Sequence, residues 1–175
     1  MDMPSVAERW PVPIDGPTAR ETTSGTASAK SGRSWTITAG GWCAATKIPY
    51  GDLLRVTGKT ARAQEIYQEA KDAFESMSDP LWTARALVGM SLVNGAAGHL
   101  EASLSQLDRS RDTFRQFGFE ADECWAQVCR FRVLHEGDPS AAGSALADAQ
   151  RIAAAMGYDS TYVERLLADA GPDVR

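Results

Sequence analysis

Residues 98–118 read GHLEASLSQLDRSRDTFRQFG, and their spacing decides the fold. Leu100, Ser103, Leu104, Leu107, Ser110, Phe114 and Phe117 recur at three- and four-residue steps, which puts one apolar and small-residue stripe along one helix. Gly118 follows as a residue free to turn left-handed and end it. Counted from Gly98, a small residue stands five positions on (Ser103), a bulky apolar one nine on (Leu107) and a small one twelve on (Ser110). Two helices that cross closely need that order, because small side chains admit the neighbouring backbone while a large one wedges beside the crossing.

The same series recurs on both sides. From Gly58 it reads Ala63, Tyr67, Ala70, and from Gly137 it reads Ala142, Leu146, Ala149. The glycines are 40 and 39 residues apart, and a fixed period of that size marks a stacked array. Around these helices the pattern stays helical. Ala63, Ile66, Tyr67, Ala70, Phe74 and Met77 form one stripe; Trp125, Val128, Cys129 and Arg132 share another helix; Ala142 to Met156 gives a further one before Gly157. Asp79-Pro80 and Asp138-Pro139 each supply a capping carboxylate and then proline at the first helical position. A shorter last helix opens at Ser160 or Thr161, with Thr161 and Glu164 spaced as a capping box, and ends at Gly171-Pro172. The expected fold is all-α: an α-α superhelix, or solenoid, of about three helical hairpins over residues 44–171 with a C-terminal capping helix, followed by a tail at 172–175. Ile48-Pro49 should interrupt the first helix, so that the first hairpin starts near Pro49.

The first 43 residues read differently. Residues 1–33 are rich in Pro, Ser, Thr, Gly and Ala and bury too little apolar surface to offset their ordering entropy, so a flexible leader is expected. Residues 34–42 alternate briefly, which suggests a loop or a short docked arm whose Trp35 and Trp42 pack on the first hairpin.

Net charge is −5. Residues 1–50 hold five basic and four acidic side chains, which leaves −6 on residues 51–175. An acidic folded part disfavours a phosphate backbone or an anionic bilayer as partner. Fourteen Arg against four Lys, with abundant Ala, suggests a bacterial GC-rich genome. The start lacks a basic region followed by an apolar run, and no stretch approaches the roughly 20 apolar residues of a membrane helix, so a cytoplasmic protein is expected. Cys43, Cys124 and Cys129 have no disulfide-framework spacing and read as small buried hydrophobes.

The glycine, the small residue at +5, the Tyr or Leu at +9 and the Ala or Ser at +12 resemble the second half of a tetratricopeptide (TPR) repeat. The Leu-Gly pair of that family's first half appears as Tyr50-Gly51, Met90-Ser91 and Cys129-Arg130, and the period is longer than the usual 34. Stretched arrays of this kind resemble those at the C-termini of bacterial transcription regulators and signal-transduction ATPases. The resemblance implies that the first helix of each hairpin lines a concave groove. Carried over by position, the groove candidates are Asp52 and Arg55 from the first repeat, Arg85, Val88 and Leu92 from the second, and Gln127, Phe131 and His135 from the third, over a shallow floor at Gly95 and Ala96.

Catalytic constellations are hard to find. No glycine pair leads into Gly-Lys-Ser/Thr, no serine stands in a nucleophile elbow, and His99 and His135 belong to different hairpin turns. Arg109, Arg111, Arg115, Arg130 and Arg132 are interleaved with Asp108, Asp112, Glu120, Asp122 and Glu123, as on a solvated face. Phe114, Phe117 and Phe119 read as core between hairpins. The expectation is a non-enzymatic interaction module without cofactor or metal. Its partner would be a protein or peptide segment, with neither nucleic acid nor membrane, and homo-oligomers remain open. The alternatives are an accessory segment packed on a catalytic or DNA-binding partner, or a self-associating structural module.

Overall fold

A computed structural model describes residues 39–170, leaving out the side chains of residues 39, 40 and 42. Among the described residues the regular elements are all helices: α1 (Ala39–Ala45), α2 (Lys47–Val56), α3 (Thr60–Ser76), α4 (Pro80–Ala96), α5 (Leu100–Phe117), α6 (Glu120–Leu134), α7 (Pro139–Ala155) and α8 (Ser160–Asp169). Each packs on the next, and α2 with α4, α4 with α6 and α6 with α8 also touch. That is the contact pattern of stacked hairpins α2/α3, α4/α5 and α6/α7 closed by α8, an all-helical array of consecutive pairs consistent with a solenoid.

The small residues do what their spacing demands. Ala63, Ser103, Ala142, Ala70, Ser110 and Ala149 are all buried. The two serines do more than leave room: Ser103 Oγ donates to the Ser91 carbonyl (2.8 Å) and Ser110 Oγ to that of Ala84 (3.0 Å), tying α5 to α4. Of the wedge residues, Tyr67 and Leu107 are fully enclosed and Leu146 is half-buried.

Helix α4 is apolar on all sides because it serves two cores. Ala86, Leu87, Met90 and Val93 pack with Ile48, Leu54, Ile66, Tyr67 and Phe74 of the first hairpin. Leu81, Ala84, Val88 and Leu92 pack with Leu107, Phe114, Trp125, Val128, Ile152, Val163 and Leu166. Phe114 is completely buried, as its place in the stripe predicted, while Phe119 packs half-buried against the same core.

Asp79 and Asp138 cap α4 and α7 as expected, accepting from Trp82 N (3.1 Å) and Ala141 N (3.0 Å). Four differences from the expected elements have local causes. Helix starts at Ala39, not 44, so the end of the stretch read as a loop is helical. Thr46 stays in helical dihedrals between α1 and α2, and Pro49 is the third residue of α2, where its missing N–H leaves no bond unmade. The first hairpin therefore begins two residues before that proline. The cap of α8 is Asp159, whose Oδ1 accepts from Thr161 N at 3.1 Å, in place of a Thr161/Glu164 box.

The fourth difference is Gly137. Gly58, Gly98, Gly118 and Gly157 have φ between +75° and +87°, and after each the next N–H reaches five residues back, as His99 N does to Asn94 O (2.9 Å). Gly137 lacks positive φ, and it and Asp138 both bond the Leu134 carbonyl (3.0 and 2.8 Å). The turn between α6 and α7 is thus of another kind. The leader expected over residues 1–33 and the packing of Trp35 and Trp42 lie outside what the structure describes.

Candidate functional site: the inner helices and the open end

The eight groove candidates fall into two groups. Asp52, Arg55, Val88, Leu92 and Gln127 are buried, while Arg85, Phe131 and His135 are half-buried. Val88 and Leu92 belong to the second core. Asp52 Oδ1 accepts the Tyr67 hydroxyl at 2.7 Å, and burial beside that carboxylate pushes the Tyr67 phenol well above its ordinary pKa. Arg55 Nη1 donates to the carbonyl of Ala170 at the end of α8, 2.9 Å away, so the first hairpin and the closing helix meet. Arg85 spans α4 and α6: Nε and Nη2 grip Asp122 at 2.7 and 3.1 Å, and the guanidinium lies 4.5 Å from the Trp82 ring centre. Phe131 and His135 stack on each other, 5.9 Å between centroids.

The third-repeat candidates were counted back from Gly137, and its altered turn shifts them. Ser110 bonds the carbonyl of Ala84; in the next hairpin Cys124 Sγ approaches that of Ala149 (3.4 Å). Cys124 is thus the counterpart of Ala84, 40 residues on, whereas Ala149 lies 39 beyond Ser110. One residue is lost in the turn. The counterparts of Arg85, Val88 and Leu92 are Trp125, Val128 and Arg132, each one position later than a count from Gly137 gives. Sequence reasoning missed Trp125 in this role. The signal that finds it is the polar contact between first and second helices, not the glycine.

A second surface was not anticipated. On α2, Tyr50, Leu53 and Val56 are exposed at 47, 55 and 41%. Their spacing of three places them along one side of the helix. Forty residues on, Tyr50 and Leu53 correspond to Met90 and Val93, which are buried against the first hairpin. A further forty on, Val133 packs so near α4 that a Cβ on Gly95 would come within 2.9 Å of its Cγ2. Inside the array this face receives the preceding hairpin. On α2 the described residues leave it open.

Elsewhere several charged side chains are paired. Arg111 meets Asp108 and Asp112 (3.1 and 3.0 Å) and Arg130 meets Asp108 (2.5 Å) on a solvated face, whereas Asp122 and Glu123, expected on that face, are buried, Glu123 under Arg115 (2.7 Å). Burial pushes the Cys124 thiol up to about 11, which keeps it protonated and unreactive. A cleft of about 330 Å³ beside Glu75, Asp79 and Arg109 uses Asp79 as the α4 cap, its pKa raised by burial, and joins Arg109 to Glu75 (3.6 Å). Among the described residues no group of three His, Cys, Asp or Glu is placed to hold a metal, and no helix is long and apolar enough to cross a membrane.

The class that this fold defines is an all-α array of helical hairpins. No protein-family model, curated protein or solved structure matches the chain.

Proposed function

We propose that the chain is a protein–protein interaction module of tetratricopeptide-like type, and that it takes an amphipathic helix of a partner protein on the open face of α2. The observation that carries this reading is the repeat equivalence just described. Tyr50 and Leu53 stand where Met90 and Val93 bury a preceding helix, and they lie exposed. A helix presenting apolar residues at three- and four-residue steps would continue the array by one element. The inner face is a weaker choice than the residue pattern suggested, because five of its eight candidate side chains are already buried. The absence of a catalytic constellation among the described residues agrees with an interaction role, and the family resemblance adds bacterial regulation as its setting. An accessory segment packed on a catalytic or DNA-binding partner would use the same face.

The test is a benzophenone cross-linker at position 53, with position 111 on the paired-charge face as control. The expected product is an adduct at 53 that maps to an amphipathic helix of another protein and disappears with Tyr50→Glu. Adducts at 111 with none at 53 would overturn the choice of face. A self-adduct at 53 would replace the partner protein with a second copy.

A further inference from the structure

Helix α8 covers the first helices of the hairpins. It touches α6 and α7, and its Val163, Leu166 and the following Ala170 belong to one packed core with Val88, Leu92 and Trp125. The two ends of α8 fix its course. Near the start, the Tyr162 phenol is raised by burial first and then by the charges of Cys124, Tyr158 and Asp122, which sets it beside the beginning of α6. At the other end the Ala170 carbonyl accepts from Arg55 Nη1, near the end of α2. α8 therefore runs from α6 to α2 across the inner face, and it accounts for the burial of Val88 and Leu92. Its seat is a light one. Val163 and Leu166 are the buried residues of its ten, against five of ten in α2, and a helix this short does not hold itself together in water. Ser160, Thr161, Glu164, Arg165 and Ala168 face solvent. The connection to α7 is an exposed turn, Gly157-Tyr158-Asp159, with Gly157 at a φ of +87°.

We propose that the first helices of the hairpins form a groove for an amphipathic helix, that α8 occupies it from within the chain, and that a helix of a partner protein binds there by displacing α8. The chemistry that fits is that of α8 itself. The incoming helix presents an aliphatic residue, a second one three positions on and a small one four beyond that, the spacing of Val163, Leu166 and Ala170. It brings its C-terminal carbonyls to Arg55, where a cation meets the negative end of the helix dipole and bonds a carbonyl that the helix leaves unpaired. The direction is selective, because a helix laid the other way would point N–H groups at a buried guanidinium. Opening the groove uncovers Val88 and Leu92, so it is favourable only when another apolar face takes the place of α8. The groove is a different surface from the exposed side of α2, and neither depends on the other.

The probe is a fluorescent peptide of residues 157–170, added to the full chain. The native chain, whose groove is filled, should bind it at least about tenfold more weakly than Leu166→Glu, whose own α8 is unseated, because apparent affinity falls with the fraction of open groove. A peptide carrying the same Leu166→Glu change should bind neither. Equal binding to both chains, or none to a Leu166→Glu chain that keeps its other helices, would overturn the proposal. Should Leu166→Glu fail to fold, hydrogen exchange of the native chain decides. Amides of residues 163–170 should exchange through an opening that leaves α4 and α6 protected. Exchange of α8 only together with the whole chain would overturn the proposal. Native chain that dimerises by exchanging α8 would overturn the choice of a partner protein in favour of a second copy.

Discussion

The ring of Tyr67 lies against the backbone of Gly89, so close that a Cβ at position 89 would overlap Cε1, Cδ1 and Cζ of the ring. Gly51 meets the same ring from α2, where an added Cβ would stand 2.6 Å from Cε1. The tyrosine is held between the first helices of two hairpins, its hydroxyl on Asp52. Gly89→Ala should therefore destabilise the protein by about 1–3 kcal/mol through overpacking. Gly143→Ala, at an exposed helical site where an added Cβ meets nothing within 4 Å, should stabilise it by about 0.5–1 kcal/mol. Urea denaturation of the two variants checks both signs.

Arg85 is a groove candidate on sequence, where a charge lining a groove would be free to face a partner. Its partner changes that expectation. The Asp122 side chain is 6% exposed and that of Arg85 16%. Arg85→Glu leaves Asp122 buried against a like charge and removes the contact over Trp82. The expected loss is about 3 kcal/mol or more, seen as a lowered urea midpoint. Arg111→Glu, exchanging one member of an exposed network, should change the midpoint by less than about 1 kcal/mol.

Ser78 ends α3 with φ of 55°, in the region where the other helix ends of this kind use glycine. Its N–H bonds Glu75 O (3.0 Å) and that of Asp79 bonds Phe74 O (2.9 Å), so the turn itself is regular and the cost is the serine Cβ. Left-handed backbone costs a non-glycine residue roughly 1–2 kcal/mol, and glycine returns part of that gain to the unfolded chain. Ser78→Gly should raise stability by about 0.5–1 kcal/mol, measurable as a higher melting temperature.

The Cys124 thiol sets an alkaline limit. Its folded pKa is pushed up to about 11 by burial first and by the neighbouring Glu123 carboxylate second. In the unfolded chain it ionises near about 8.5. Between those values the unfolded state releases a proton that the folded state keeps. Stability contributed by the neutral thiol is then lost as pH rises, at up to about 1.4 kcal/mol per unit. Tyr162, raised to about 12 mainly by burial, extends the loss above pH 10. Urea midpoints at pH 8 and pH 10 should differ less in Cys124→Ala than in the native chain.

The second helices of the hairpins were legible because each position there has one job. The residues at +5 and +12 touch a neighbouring backbone, and only Ala or Ser fits. The first helices were less legible. α4 is buried all round, so its sequence holds no stripe to say which side faces where, and α6 resembles it from Asp122 to Cys129. The glycine count served as a substitute and failed at Gly137, where the turn loses a residue. Nor does a sequence distinguish Leu53 from Val93: both are apolar residues on a first helix, and only the presence of a preceding hairpin separates exposed from buried. The start of helix at Ala39 was hidden for another reason, since Gly40-Gly41 disfavours a helix in its first turn.

The double duty of α4 has a consequence for how the protein comes apart. Because Met90 and Val93 complete one core while Val88 and Leu92 complete the other, neither half can melt and leave the remainder with a dry interior. Arrays of this type usually loosen from an end, one repeat at a time. Here the middle helix is the shared wall, and heating should take both rooms down in one calorimetric transition.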